Sequence, residues 1–195
     1  MPQDSKTRTL VECAILTAVA VVLSAIPAFK LPFGGTVSWF ATVPVLVASM
    51  RHGPAWGVPT ALVYSFIQLF MGLQNFSYLP YPKSVFYIFA AALLDYIIAF
   101  TIIGLAGIIF GRFKNQTAGI IFAVLLTGLG RFTCSFFSGI LIWGRPDDVT
   151  WTQSLPIYSL GYNAGWCVPD VILALAAVLV LTNVKQLNLF PNKNA

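Results

Sequence analysis

SVFYIFAAALLDYIIAFTIIGLAGIIFG, residues 84–111, carries a single ionisable group that is charged at neutral pH, Asp95, in an otherwise apolar run. A helix needs about 20 mostly apolar residues to cross the hydrocarbon of a bilayer, so this stretch reads as a membrane span with a carboxylate part-way through it. Reading outward, five more apolar stretches fall at residues 10–29, 36–50, 54–73, 117–143 and 155–182. The composition agrees: 58% of residues are hydrophobic and 9% are charged, whereas a soluble domain carries roughly a quarter charged residues. No polar linker or fixed-period repeat divides the chain, which reads as one domain over residues 1–195. The expected fold is an all-α integral membrane protein, a bundle of six transmembrane helices. Pro44 and Pro59 predict tilted or kinked second and third spans, and residues 1–8 lead into a retained first helix rather than a cleaved leader.

Loop charges set the expected orientation. With the N-terminus inside, the cytoplasmic ends carry Lys6, Arg8, Arg51, Arg112, Lys114, Lys185 and Lys193, and the outer ends carry Lys30, Lys83 and Arg145. Seven against three places both termini in the cytoplasm by the positive-inside rule. The net charge of +5 is thereby a topology signal, and the dispersed basic residues give no nucleic-acid surface.

Several chemistries are missing. His52 is the sole histidine and sits in a predicted cytoplasmic turn, and no GxxxxGK[ST] phosphate loop occurs. Neither a histidine-dependent hydrolase nor a P-loop ATPase follows from this chain. Cys13, Cys134 and Cys167 lie in apolar segments without metal-site spacing and read as packing residues. No enzymatic activity, cofactor or metal is expected.

Three ionisable groups lie inside the spans: Asp95, Arg131 and Asp170. Asp95 is twelve residues past Lys83 and Arg131 twelve before Trp143, so at ~1.5 Å per residue both lie roughly 18 Å below the outer helix ends. Such charges face a partner or a wet cavity. The matched depths predict an Asp95–Arg131 pair, a direct ligand role, or both; Asp170 has no clear assignment beyond serving as a second partner for Arg131. Arg131, Ser135, Gly139 and Trp143 recur every four residues on one drifting helix face. The sixth span opens with the polar-aromatic cluster Pro156, Tyr158, Tyr162, Asn163 and Trp166. Apolar walls with a few convergent polar groups are the usual makeup of a small-molecule site. The segment around residues 30–39, with Gly34, Gly35 and Trp39, is expected to cover it.

The stretches LVECAILTAVAVVLSAIP (10–27), VPVLVASMRHGPAWG (43–57), LLDYIIAFTIIGLAGIIF (93–110), RFTCSFFSGILIW (131–143) and YSLGYNAG (158–165) resemble the S-component, the membrane substrate-binding subunit, of energy-coupling factor (ECF) vitamin transporters. The resemblance is greatest to the thiamin-specific family. It implies substrate contacts at Tyr158 and Asn163 of the YSLxxN stretch, at the acidic-Tyr pair Asp95 and Tyr96, and at Trp143. It also implies docking of the ECF transmembrane coupling subunit, which works with two ATPase subunits, against Ala14 and Ala18 of the first helix. Small residues four apart permit close helix approach on independent grounds. The chain departs from the family pattern at Ser135, where thiamin-binding members carry a histidine, at Asp95 in place of Glu, and in the first loop, where Trp39 has no accompanying carboxylate.

With Asp95 set opposite Arg131 the pocket reads as nearly neutral. Two ligand classes therefore stay open: cationic thiamin, and a smaller heteroaromatic vitamin such as a hydroxymethylpyrimidine precursor or pyridoxine (vitamin B6). The expected function is vitamin uptake across the bacterial cytoplasmic membrane, with Trp39, Asp95, Tyr96, Arg131, Ser135, Trp143, Tyr158 and Asn163 at the substrate. The competing reading is a stand-alone channel or facilitator for a small polar solute. That would need a continuous polar path, and the inner halves of the first three segments offer little beyond Thr, Ser and Gln68.

Overall fold

The structure is a computed structural model that describes residues 3–79, 84–144, 150, 152–184 and 190. Lys83, Arg145, Lys185 and Lys193, used above for orientation, lie outside the described residues. The helical rods are α1 (Gln3–Ser24), α2 (Val43–His52), α3 (Pro54–Met71), α4 (Val85–Gly111), α5 (Gln116–Trp143) and α6 (Leu155–Asn183). Of these, α1 from Ser5, α4, α5 and α6 are long and apolar enough to cross a membrane. The periodicity of α5 illustrates why: Ile120, Val124, Thr127, Arg131, Ser135 and Ser138 are buried on one stripe, while Phe122, Leu125, Leu126, Leu129 and Phe137 face outward. An exposed apolar face is what lipid requires of a spanning helix.

Three expectations change. Residues 36–50 do not form a spanning helix: α2 has 10 residues, about 15 Å at 1.5 Å per residue, half the hydrocarbon thickness. Pro44 sits at its first turn, where a missing N–H costs nothing, so no kink results. Every residue from Val43 to Met50 is buried, which makes α2 the centre of the bundle; it turns into α3 at Gly53, whose φ of 76° suits glycine. The first span ends at Ser24 rather than at residue 29. Beyond it the fold is not purely α-helical, because β1 (Pro27–Lys30) and β2 (Thr36–Ser38) pair as an antiparallel hairpin with a register irregularity.

Two rods depart from regular α geometry. α4 contains a π-helical stretch, Ala92–Ile98, and a 3-10 turn, Ile102–Leu105; α5 finishes in a π-helical stretch, Gly139–Trp143. π stretches inside helices recur at functional sites because they re-aim side chains. Here one carries Asp95 and Tyr96 and the other carries Trp143.

Candidate functional site

A cavity of about 760 Å³ opens at one end of the bundle. Its walls come from the end of α1, the hairpin, α3, the 3-10 turn Leu73–Tyr78 that follows it, and the halves of α4, α5 and α6 nearest that end. Asp95, Tyr96, Arg131, Ser135, Trp143, Tyr158 and Asn163 all line it, as does Gly139. Four-residue spacing overshoots the 3.6 residues of an α turn. The wider π turn at Gly139–Trp143 offsets that drift and returns Trp143 to the stripe begun by Arg131.

Asp95 is fixed by three neutral partners, Ser138, Trp143 and Ser135. The Ser138 hydroxyl donates to Oδ2 at 2.6 Å and the Trp143 indole N–H donates to the same oxygen at 2.7 Å. Both of these bonds fall on Oδ2, and the Ser135 side chain also hydrogen-bonds the carboxylate. The Trp143 ring stacks on Phe76, with centroids 6.3 Å apart and planes 11° apart. Beside it the Tyr96 hydroxyl accepts from Asn75 Nδ2 at 3.0 Å and donates to the Gly72 carbonyl at 3.3 Å.

Arg131 does not pair with Asp95. Its Nη1 donates to Asp170 Oδ2 at 2.7 Å, both side chains being buried. The guanidinium also lies 4.6 Å from the Phe100 ring centroid and 5.3 Å from that of Trp166, an arrangement that spreads its charge over aromatic faces. Equal depth on two helices did not translate into facing directions: α6 brings Asp170 against Arg131, next to Pro169, which lies inside the helix. The charge balance inferred from an Asp95–Arg131 pair is thereby overturned. Arg131 is neutralised by Asp170, and among the described residues no cation pairs with Asp95. Lys30 reaches only the cavity mouth, from the exposed edge of the hairpin.

Asn163 is nearly saturated by the protein. Its Nδ2 donates to the Ser159 carbonyl at 2.9 Å and to that of Ser135 at 3.3 Å, and its Oδ1 accepts from Trp166 Nε1 at 3.0 Å. It braces α5 against α6 and has one acceptor lone pair left for the cavity. Trp39 is 46% exposed and off the cavity wall; the hairpin presents Gly34 and Gly35 to the cavity instead. Ala14 and Ala18 are exposed on the outer face of α1, opposite Cys13, Thr17 and Ala20, which pack inward. Sequence reasoning missed Asn75 of the turn after α3, Ser138 just before the π stretch of α5, and Tyr64 of α3, which lines the cavity. The regular spacing of Ser135 and Ser138 around the stripe was the one available signal.

Residues 10–190 match the family described as Thiamine transporter protein (Thia_YuaJ). The chain belongs to that family. It is 31% identical to the thiamine transporter ThiT of Bacillus subtilis (strain 168), with 93% of each chain covered. It is 27% identical to ThiT of Lacticaseibacillus paracasei, with 94% of this chain and 91% of that one covered. A solved structure of ThiT from Listeria monocytogenes has the same fold, with a TM-score of 0.73 at 21% identity, covering 96% of this chain and 100% of that one. Membership, together with the four apolar helices, makes the chain a multi-pass protein of the bacterial cell membrane. It is a member of the thiamin-specific S-component family expected from the sequence.

Proposed function

We propose that this chain binds thiamin in the outer cavity and serves its uptake as the substrate-binding S-component of an ECF transporter. The observation that carries the reading is the state of Asp95: a carboxylate held by Ser138 and Trp143 while the neighbouring buried arginine is neutralised by Asp170. A carboxylate fixed by neutral donors under an aromatic face suits a cationic heteroaromatic ring, since the charge and the π face both favour it. Thiamin is such a cation. The ThiT relatives support the same ligand, and Ser135, where other members carry a histidine, hydrogen-bonds the Asp95 carboxylate. Tyr96, Tyr158 and Trp143 supply aromatic walls, and the hairpin lies over the opening.

Uptake is not enzymatic in this reading, and no cofactor enters it. Energy comes from a transmembrane coupling subunit and two ATPases, because the sequence holds no phosphate loop. The exposed Ala14 and Ala18 of α1 form the docking face. In this reading the chain crosses the membrane six times with both termini cytoplasmic, the short α2 returning it through the bundle between α1 and α3. Cysteine labelling that found Asn115 outside the cell would overturn this orientation.

The test is a binding titration of the purified chain against thiamin, hydroxymethylpyrimidine and pyridoxine. Thiamin is expected to bind at least about a hundredfold tighter than either smaller compound, equivalent to ~2.7 kcal/mol. Tighter binding of pyridoxine or the pyrimidine would overturn the ligand assignment. In liposomes, accumulation is expected only with the coupling subunit and ATPases present. Uptake by this chain alone would favour the facilitator.

A further inference from the structure

One side chain ties the hairpin down over the cavity. Tyr162 of α6 donates its phenol proton to the Pro32 carbonyl at 2.5 Å and accepts the Gly35 amide at 2.8 Å. A single hydroxyl thus uses its donor and an acceptor on the two ends of the hairpin turn. The turn is closed on itself by the Leu31 amide, which donates to the Gly35 carbonyl at 2.7 Å. It therefore moves as a unit when either end is held. The fit is close, since a methyl group at Gly35 would lie 2.9 Å from the Tyr162 hydroxyl oxygen.

On the opposite side of the turn Asn75 packs close to Gly34, leaving no room for a Cβ there, and donates to the Tyr96 hydroxyl. The Tyr162 ring in turn stacks on Tyr158, with centroids 5.8 Å apart and planes 28° apart. The bonded hold on the turn thus leads to Tyr158, and the packing contact on its other side leads to Tyr96; both residues wall the site. The Tyr162 proton is spent on Pro32, so the hydroxyl acts on the turn and not on a ligand.

We propose that Tyr162 is a positioning residue that sets how long a ligand is retained: its hydroxyl latches the hairpin turn, and release requires both bonds to break. The thiamin reading enters only through the ligand used in one arm of the test. Tyr162→Phe keeps the ring and its stack on Tyr158 and deletes both bonds. Gly35→Ala attacks the same contact from the hairpin side by crowding the hydroxyl, and leaves Tyr162 intact.

Without ligand, amide hydrogen exchange at residues 27–38 is expected to speed up about tenfold in either variant, the loss of roughly one net hydrogen bond or more, with α2 and α5 unchanged. With thiamin, stopped-flow tryptophan fluorescence is expected to give a release rate raised about tenfold and an association rate within about threefold of the parent. Unchanged exchange in the hairpin would overturn the latch. So would faster exchange with unchanged release, because the turn would then not control retention. Loss of protection across α2 and α5 in both variants would also overturn it, making Tyr162 an ordinary packing residue. If thiamin fails to bind the parent chain, the ligand assignment falls while the exchange arm still decides whether Tyr162 holds the turn.

Discussion

Asp95 and Asp170 line one cavity, but the protein treats them differently. Asp170 is 6% exposed and meets a guanidinium at 2.7 Å, itself packed between Phe100 and Trp166. Its charge is settled within the protein. Asp95 is half-buried and meets the hydroxyls of Ser138 and Ser135 and the indole N–H of Trp143, neutral partners that fix its direction without cancelling its charge. A paired carboxylate holds helices together, whereas one held by neutral donors is ready for a cation from outside. Under the proposed function, the same residue type serves stability on α6 and recognition on α4.

The largest effect is expected on the structural side. Asp170→Ala leaves Arg131 buried without its partner and should cost about 3–5 kcal/mol of stability, read as a large fall in thermal unfolding temperature in detergent. Replacing both residues by apolar ones of similar volume, Arg131→Met with Asp170→Leu, should recover most of that loss. A double variant as unstable as the single would mean the pair does more than cancel charge. At Asp95 the expectation is reversed. Asp95→Asn keeps an acceptor for Ser138 and Trp143 but removes the charge, and should weaken thiamin binding by about 1.5–3 kcal/mol with little change in unfolding temperature. A stability loss as large as that of Asp170→Ala would erase the distinction between the two carboxylates.

Smaller effects refine it. Trp143→Phe keeps an aromatic face against Phe76 and deletes one bond to Asp95, so calorimetry should record about 0.5–1.5 kcal/mol of lost affinity, less than for Asp95→Asn. The smallest effect on binding is expected at Ala14 and Ala18. Leucine at both should leave thiamin affinity unchanged while reducing co-purification with the coupling subunit. Lost affinity with intact assembly would contradict that division.

Much of the fold was legible in the sequence because lipid imposes long apolar runs. The ends of α4, α5 and α6 fall within a residue or so of the ranges read from hydropathy, and the stripe from Arg131 to Trp143 does line the cavity. What was not legible depends on geometry that hydropathy does not encode. Strands of three or four residues around Pro32–Gly34 carry no alternation long enough to recognise, so the hairpin read as a loop. The apolar run at 36–50 had the composition of a span but folds as the short central α2, because a helix buried in protein and one buried in lipid look alike in sequence. The π stretches have no sequence signature here, yet they aim Asp95 and Trp143 at each other. Spacing along a helix does not encode the direction each side chain faces, so Asp95 was set opposite Arg131, whereas Asp170, read only as a second partner, is the acid that meets it. Tyr162 stood out as part of an aromatic cluster, but its bonds to Pro32 and Gly35 cross 130 and 127 residues, a distance that local pattern cannot bridge.

The central claim is that Asp95 offers an unmatched negative charge to a cationic ring. The most direct test compares calorimetric affinities for thiamin and for its neutral analogue in which the charged ring nitrogen is replaced by carbon, in the parent chain and in Asp95→Asn. The account predicts that the parent prefers thiamin by at least about tenfold, ~1.4 kcal/mol, and that the preference disappears in Asp95→Asn. Equal affinities in the parent, or a preference that survives the substitution, would contradict it.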